Sequence, residues 1–203
     1  MTNPADLLTP AEAAAASGMA VRAVYRRAAE RLPKGAVVRR SGEMFLTTVG
    51  AICLRLDRDM PRDVPASVRR RLYGQLGAQG LARAEVGEGG FRYVVEPAAA
   101  AAEVGRFLRD YRKAMELIVE DVGVQGGAAT FRGTRLMVHH VADLLAEGEE
   151  IAELIEDYPQ LTPEMIESAP IYARTHPRRG RPRKPAWRDS APVTEVRRIR
   201  ATS

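Results

Sequence analysis

Three histidines, one cysteine and twenty-six carboxylates are the side chains of this 203-residue chain that could do covalent, acid–base or metal chemistry. His139 and His140 are neighbours, so on a helix they point in different directions, and His176 and Cys53 lie far from them in sequence. No tetrahedral ligand set assembles from that spacing. The acidic residues show no interval that singles out a general acid and a general base, and a solvated surface accounts for them. Gly126-Gly127 lacks the Lys-Ser/Thr of a phosphate loop and reads as a tight turn. Cys53 sits in the apolar run Val49-Gly50-Ala51-Ile52-Cys53-Leu54 and is expected to be a small buried side chain. The expectation is therefore a protein that is not an enzyme, with no catalytic residue, metal or cofactor. What remains is cationic chemistry, the arginine clusters that bind polyanions.

The first cluster is Arg22, Tyr25 and Arg26, with Arg27 at its margin, and the elements around it explain its placement. Thr9-Pro10-Ala11-Glu12 is a capping box with proline at the first helical position, which predicts a helix to Ser17. Gly18 permits the left-handed turn that ends it, and Val21, Val24 and Ala28 mark the inner face of a second helix to about Arg31. Ala13 and Ala14 allow the two helices to cross closely. The arginines and Tyr25 then face outward, as in the recognition helix of a helix-turn-helix that reads base edges and phosphates in a major groove. Val37 to Arg40, the Ser41-Gly42 turn and Met44-Phe45-Leu46 form a hairpin that reads as a wing, with Arg39 and Arg40 near its tip. A helical hairpin with solvated arginines would show the same pattern. The basic charge and Arg39-Arg40 favour DNA.

Composition sets the frame for these elements. Hydrophobic residues make up 45% and charged residues 28%, as in an ordinary folded protein, while aromatics are only 5% and alanine is abundant, which favours helices. No apolar run reaches the length of a membrane span and the start lacks the basic region of a signal peptide, so a cytoplasmic protein is expected. The net charge of +5 is unevenly distributed: residues 1–60 and 61–117 carry +3 each, 118–176 carry −8 and 177–203 carry +7. DNA would be drawn to the beginning of the chain and to the tail. Between them, a helix from Thr48, a basic helix with Arg69, Arg70 and Arg71, two strands around Gly87-Glu88-Gly89-Gly90 and a long helix after Pro97 are expected. The long helix should bridge the two halves.

From Ile118 the pattern changes. Asp121 to Val138 reads as a short strand, a Gly-Gly turn and a strand ending in Gly133-Thr134-Arg135. Three helices follow, built on Val138 to Leu145, Ile151 to Ile155 and Thr162 to Arg174, the last expected to kink or restart at Pro170. Three linked motifs carry a resemblance: the Gly-Gly turn with Gly-Thr-Arg, the run Leu144-Leu145-Ala146-Glu147-Gly148-Glu149, and Glu156-Asp157-Tyr158-Pro159-Gln160-Leu161-Thr162. Residues 118 to 177 resemble the domain of unknown function four-three-three family, which is associated with VapB-type antitoxins. The resemblance implies a small helical domain beside a PIN-like nuclease toxin, preceded by a DNA-binding module. These helices form a helix-turn-helix-like domain, but their acids would face phosphates badly, with Arg132, Arg135, His139 and His140 the anion-facing exceptions.

Pro177 to Pro185 is too rich in proline and charge to pack, which predicts a disordered basic tail. Its Arg179-Gly180-Arg181-Pro182 core looks like an AT-hook for a narrow A·T minor groove. The resemblance implies another use, threading across the toxin, with Arg178, Arg179, Arg181 and Arg183 facing the nuclease's acidic centre and Trp187 as an apolar anchor. The organisation expected is thus mainly α. A winged helix-turn-helix spans 1–62, linking helices and a hairpin 63–117, an antitoxin-type helical domain with a short β-hairpin 118–176, and the basic tail 177–203. The expected function is a type II antitoxin that neutralises a PIN-like ribonuclease and binds its own operator DNA for autorepression. It would act as a homodimer or in a larger toxin–antitoxin assembly. The alternative is a stand-alone transcription regulator with an AT-hook-like tail and no toxin.

Overall fold

The computed structural model describes residues 7–178, and it is mainly helical, with eight α-helices and three small antiparallel sheets among those residues. Arg179, Arg181, Arg183 and Trp187, and the tail expected around them, lie outside the described residues. No helix among the described residues is long and apolar enough to cross a membrane.

The capping box works as its spacing dictates. The Thr9 hydroxyl accepts the Glu12 N–H at 3.2 Å and the Glu12 carboxylate accepts the Thr9 N–H at 2.7 Å, opening α1 (Pro10–Ser17). Gly18 closes it at φ 68° and turns the chain into α2 (Val21–Glu30). Strands β2 (Val37–Arg40) and β3 (Glu43–Thr47) follow as a hairpin, and β1 (Leu7–Leu8) pairs with the far edge of β3, giving the order β1-β3-β2. The third strand has too few residues to leave a periodic signal. Ala13, Ala14, Val24, Leu46 and the inner face of α3 (Thr48–Asp59) form one core. Burial of such small side chains lets the helices approach closely.

The same α3 shows its other side to a second core with α4 (Ala66–Ala78) and the hairpin of β4 (Ala84–Glu88) and β5 (Phe91–Val95), where Cys53, Val68, Leu72, Tyr73 and Val86 meet. Burial pushes the Cys53 thiol up to about 12, which leaves it an inert packing group. Helix α5 (Ala98–Glu116) gives Val104 and Leu108 to the first core and runs on to the C-terminal part.

That part is built on β6 (Ile118–Val119), β7 (Thr130–Phe131), α6 (Val138–Glu147), α7 (Ile151–Asp157) and α8 (Pro163–Thr175), around Phe131, Val138, Leu154 and Ile166. Two local expectations are corrected. The first strand lies before Asp121, because Asp121 accepts the Gly123 N–H at 2.8 Å and turns the chain. Residues Gln125–Gly127 are then a single 3-10 turn, with Gly126 at φ 66°. Helix α8 also runs unbroken through Pro170. The proline is exposed while Ala169 and Tyr172 on either side are buried, so packing outweighs an intrinsic cost of about 3 kcal/mol. Helix α8 packs on both α5 and α1, and Arg174 donates to the Ala15 carbonyl at 2.9 Å while lying over the Phe107 ring.

Candidate nucleic-acid interface

Arg22, Tyr25 and Arg26 project from the outer face of α2, with Tyr25 53% exposed, and Val24 on the opposite face is fully buried. Arg39 and Arg40 are exposed at the end of β2. Helix and hairpin meet in an open cleft of about 500 Å³ lined by Tyr25, Arg39, Thr9, Pro10, Glu43 and Met44. Glu43 stands opposite Arg40 in the strand register and offsets part of its field. The surface therefore presents separated guanidinium groups on a helix and a hairpin, donors of the kind that pair with phosphates and other anions.

Arg27 takes a different course. It turns inward to an ion pair with Asp57 of α3, whose side chain is 1% exposed. Asp57 also accepts from Arg31 at 3.2 Å, from Arg69 at 3.0 Å and from the Tyr73 hydroxyl at 3.1 Å. Arg69 also donates to the carbonyls of Val64 and Pro61. Burial first, and then the nearby Arg31, Arg26 and Arg69 guanidinium groups, lower the Arg27 pKa. Arg27 thus belongs to the foundation of α2 and stands apart from its outward arginines. The sequence held a signal for this hub: Asp57 follows Cys53 by four residues, on the apolar face of its helix, where a carboxylate requires partners.

The other cationic residues are dispersed. Arg178 is exposed and pairs with Asp143 of α6 at 2.8 Å. Arg132 is exposed and donates to the Glu116 carbonyl at 3.0 Å, and Arg135 is exposed near the Gly-Gly turn. His139 and His176 both lie against Tyr172, His176 stacked at 4.3 Å between ring centroids and His139 edge-on at 5.4 Å. His140 meets Tyr158 instead. Among the described residues no group of three or more His, Cys, Asp or Glu is placed to hold a metal ion. Spacing alone gave no hint of the Tyr172 stack, which joins α6 to the end of α8.

Residues 118–173 match the family model described as "Protein of unknown function (DUF433)". An uncharacterized protein, y4eO, of Sinorhizobium fredii is 38% identical over 76 residues, which are 37% of this chain and 34% of that protein. The chain therefore spans about a third of the length of that curated relative. The crystal structure of Rv2018 from Mycobacterium tuberculosis aligns over 81% of this chain and 96% of that one, at 17% identity and a TM-score of 0.31.

Proposed function

We propose that the chain is the antitoxin of a type II toxin–antitoxin pair, a cytoplasmic DNA-binding repressor that also neutralises a PIN-like ribonuclease. The observation that carries the reading is the union of two parts in one chain. One is the segment matching the family model over 118–173, whose motifs resemble those of VapB-type antitoxins. The other is the exposed cationic surface of Arg22, Tyr25, Arg26, Arg39 and Arg40. In this reading α1, the Gly18 turn, α2 and the β2–β3 hairpin act as a winged helix-turn-helix on operator DNA, α2 entering the major groove and Arg39 and Arg40 meeting the backbone. The body at 118–176, which carries −8, repels DNA, and the tail, which carries +7, brings Arg178, Arg179, Arg181, Arg183 and Trp187 to the acidic metal centre of the nuclease. The antitoxin blocks that centre and does no chemistry itself.

The test is co-expression of the full chain, and of a version ending at His176, with the product of the adjacent gene. The full chain should co-purify with that product and relieve the growth arrest it causes, and the shortened chain should fail to relieve it. A full chain that neither binds the product nor restores growth would overturn the reading and leave a regulator of transcription without a toxin.

A further inference from the structure

Among the described residues strand β5 is paired on one side only, in a sheet of two strands. Gly89 and Gly90, at φ 61° and 80°, make the two-residue turn, and the register sets Glu88 opposite Phe91 as the pair that closes it. The closing pair of such a turn is hydrogen bonded, and alternation then points the backbone groups of Phe91, Tyr93 and Val95 at β4. Those of Arg92 and Val94 point away, and Glu96, extended by the proline after it, continues the outward series. The bare edge carries no proline or lysine to blunt it, and Phe91 is 70% and Val94 40% exposed beside it.

We propose that this edge pairs with the same edge of a second copy, antiparallel and centred on Val94, so that two β4–β5 hairpins join into one four-stranded sheet. Charge selects the register. Centred on Val94, Arg92 stands opposite the second copy's Glu96, and Glu96 opposite its Arg92, while the two Val94 side chains meet on the axis. Centring on Arg92 would set two guanidinium groups against each other, and centring on Tyr93 would leave both charges without partners. The same register makes the outward backbone groups of residues 92, 94 and 96 the hydrogen-bonding ones. On the inner face it brings the second copy's Tyr93 beside Val95 and its Phe91 beside Pro97. There they reach the mouth of an apolar groove of about 440 Å³ lined by Leu56, Met60, Val64, Tyr93 and Val95. Among the described residues Arg92 forms an ion pair with Glu85 at 3.2 Å, a surface pair of small worth from a side chain 75% exposed, which can turn outward. The pairing depends on β5 alone and is independent of what α2 or the tail binds.

Sedimentation of the full chain over a concentration series tests it, with far-UV circular dichroism and thermal melting to confirm that each variant is folded. The wild type should sediment as a dimer. Glu96→Arg and Val94→Lys should each raise the dissociation constant at least tenfold, because both place like charges across the axis. The pair Arg92→Glu with Glu96→Arg in one chain should restore the dimer, since each new glutamate then faces a new arginine. A monomeric wild type, a dimer indifferent to both single changes, or a folded double variant that stays monomeric overturns the proposal.

Discussion

Arg27 of α2, Arg31 just past its end and Arg69 of α4 converge on the Asp57 carboxylate, and the Tyr73 hydroxyl adds a fourth donor. An acid with three cationic neighbours gains little from any single one, but among the described residues it is the buried carboxylate that all three share, while the exposed Glu30 reaches Arg31 alone, at 3.7 Å. Asp57→Asn therefore leaves Arg27 and Arg69 partly buried without a carboxylate and Arg31 with Glu30 alone, and a loss of about 3–5 kcal/mol is expected from urea unfolding midpoints. A loss below about 1 kcal/mol would mean that water already screens the cluster. His139 yields a prediction of opposite chemistry. Burial, and then Arg178, lower its pKa from 6.5, while Asp143 works against them. Tyr172 and His176 face it from the end of α8. Above 6.5 the imidazole is neutral whether the chain is folded or unfolded and contributes no pH dependence. As pH falls below 6.5 the unfolded chain takes up the proton first, so stability declines until the lower folded pKa is passed. Melting temperatures followed from about pH 8 to about pH 5 should fall less steeply for His139→Gln than for the wild type. Equal slopes would assign the decline to other groups.

At the level of elements, two glycines in helices separate backbone propensity from packing. Gly50 lies in the first turn of α3, and a Cβ there would sit 2.8 Å from the Ala36 carbonyl oxygen, a backbone atom that cannot swing aside. Gly74 lies in α4 with nothing within 4 Å of such a Cβ. Alanine favours a helix over glycine by up to about 1 kcal/mol, so Gly74→Ala should stabilise by roughly 0.5–1 kcal/mol. Gly50→Ala should destabilise by about 1–3 kcal/mol because overpacking outweighs the propensity gain. Thermal or urea unfolding that ranked the two alike would show that the α3 and Ala36 contact relaxes freely. These elements also show what a sequence can disclose. Helices α1 and α2, the β2–β3 and β4–β5 hairpins and the bridging role of α5 are legible because their signals are local: a capping box, a left-handed glycine, a Gly-Gly turn, an apolar stripe. Outward Arg22, Tyr25 and Arg26 follow from the same periodicity. Arg27 does not, because its partner is thirty residues along the chain, on α3. Nor does the seat of α8 on α1, since the Arg174 bond to Ala15 joins residues whose separation leaves no pattern. At Pro170 a strong local rule gave the wrong sign, because Ala169 and Tyr172 were already fixed by the core.

The whole molecule separates charge by position, and that separation makes the proposed DNA binding testable. The tail supplies +7 of a net +5, so residues 1–176 without it carry −2. A basic segment of that size attracts any duplex, whereas Arg22 and Arg26 stand on a helix held against the core through Val24 and the Asp57 hub. Electrostatic attraction from the tail should be indifferent to sequence, and contacts from the helix should carry discrimination. Binding is best measured on the duplex upstream of the gene and on a scrambled duplex, each across a series of salt concentrations. Removing residues 177–203 should weaken both complexes by similar factors and flatten the salt dependence of both, leaving their ratio nearly intact. Arg22→Ala with Arg26→Ala should instead collapse the ratio by tenfold or more, at about 1–3 kcal/mol for each lost base contact, and reduce the salt slope by about one for each of the two that meets a phosphate. If the ratio survived the helix substitutions and vanished with the tail, sequence would be read by the Arg179 to Pro182 segment in a minor groove. Helix α2 would then be a packing element with a solvated face.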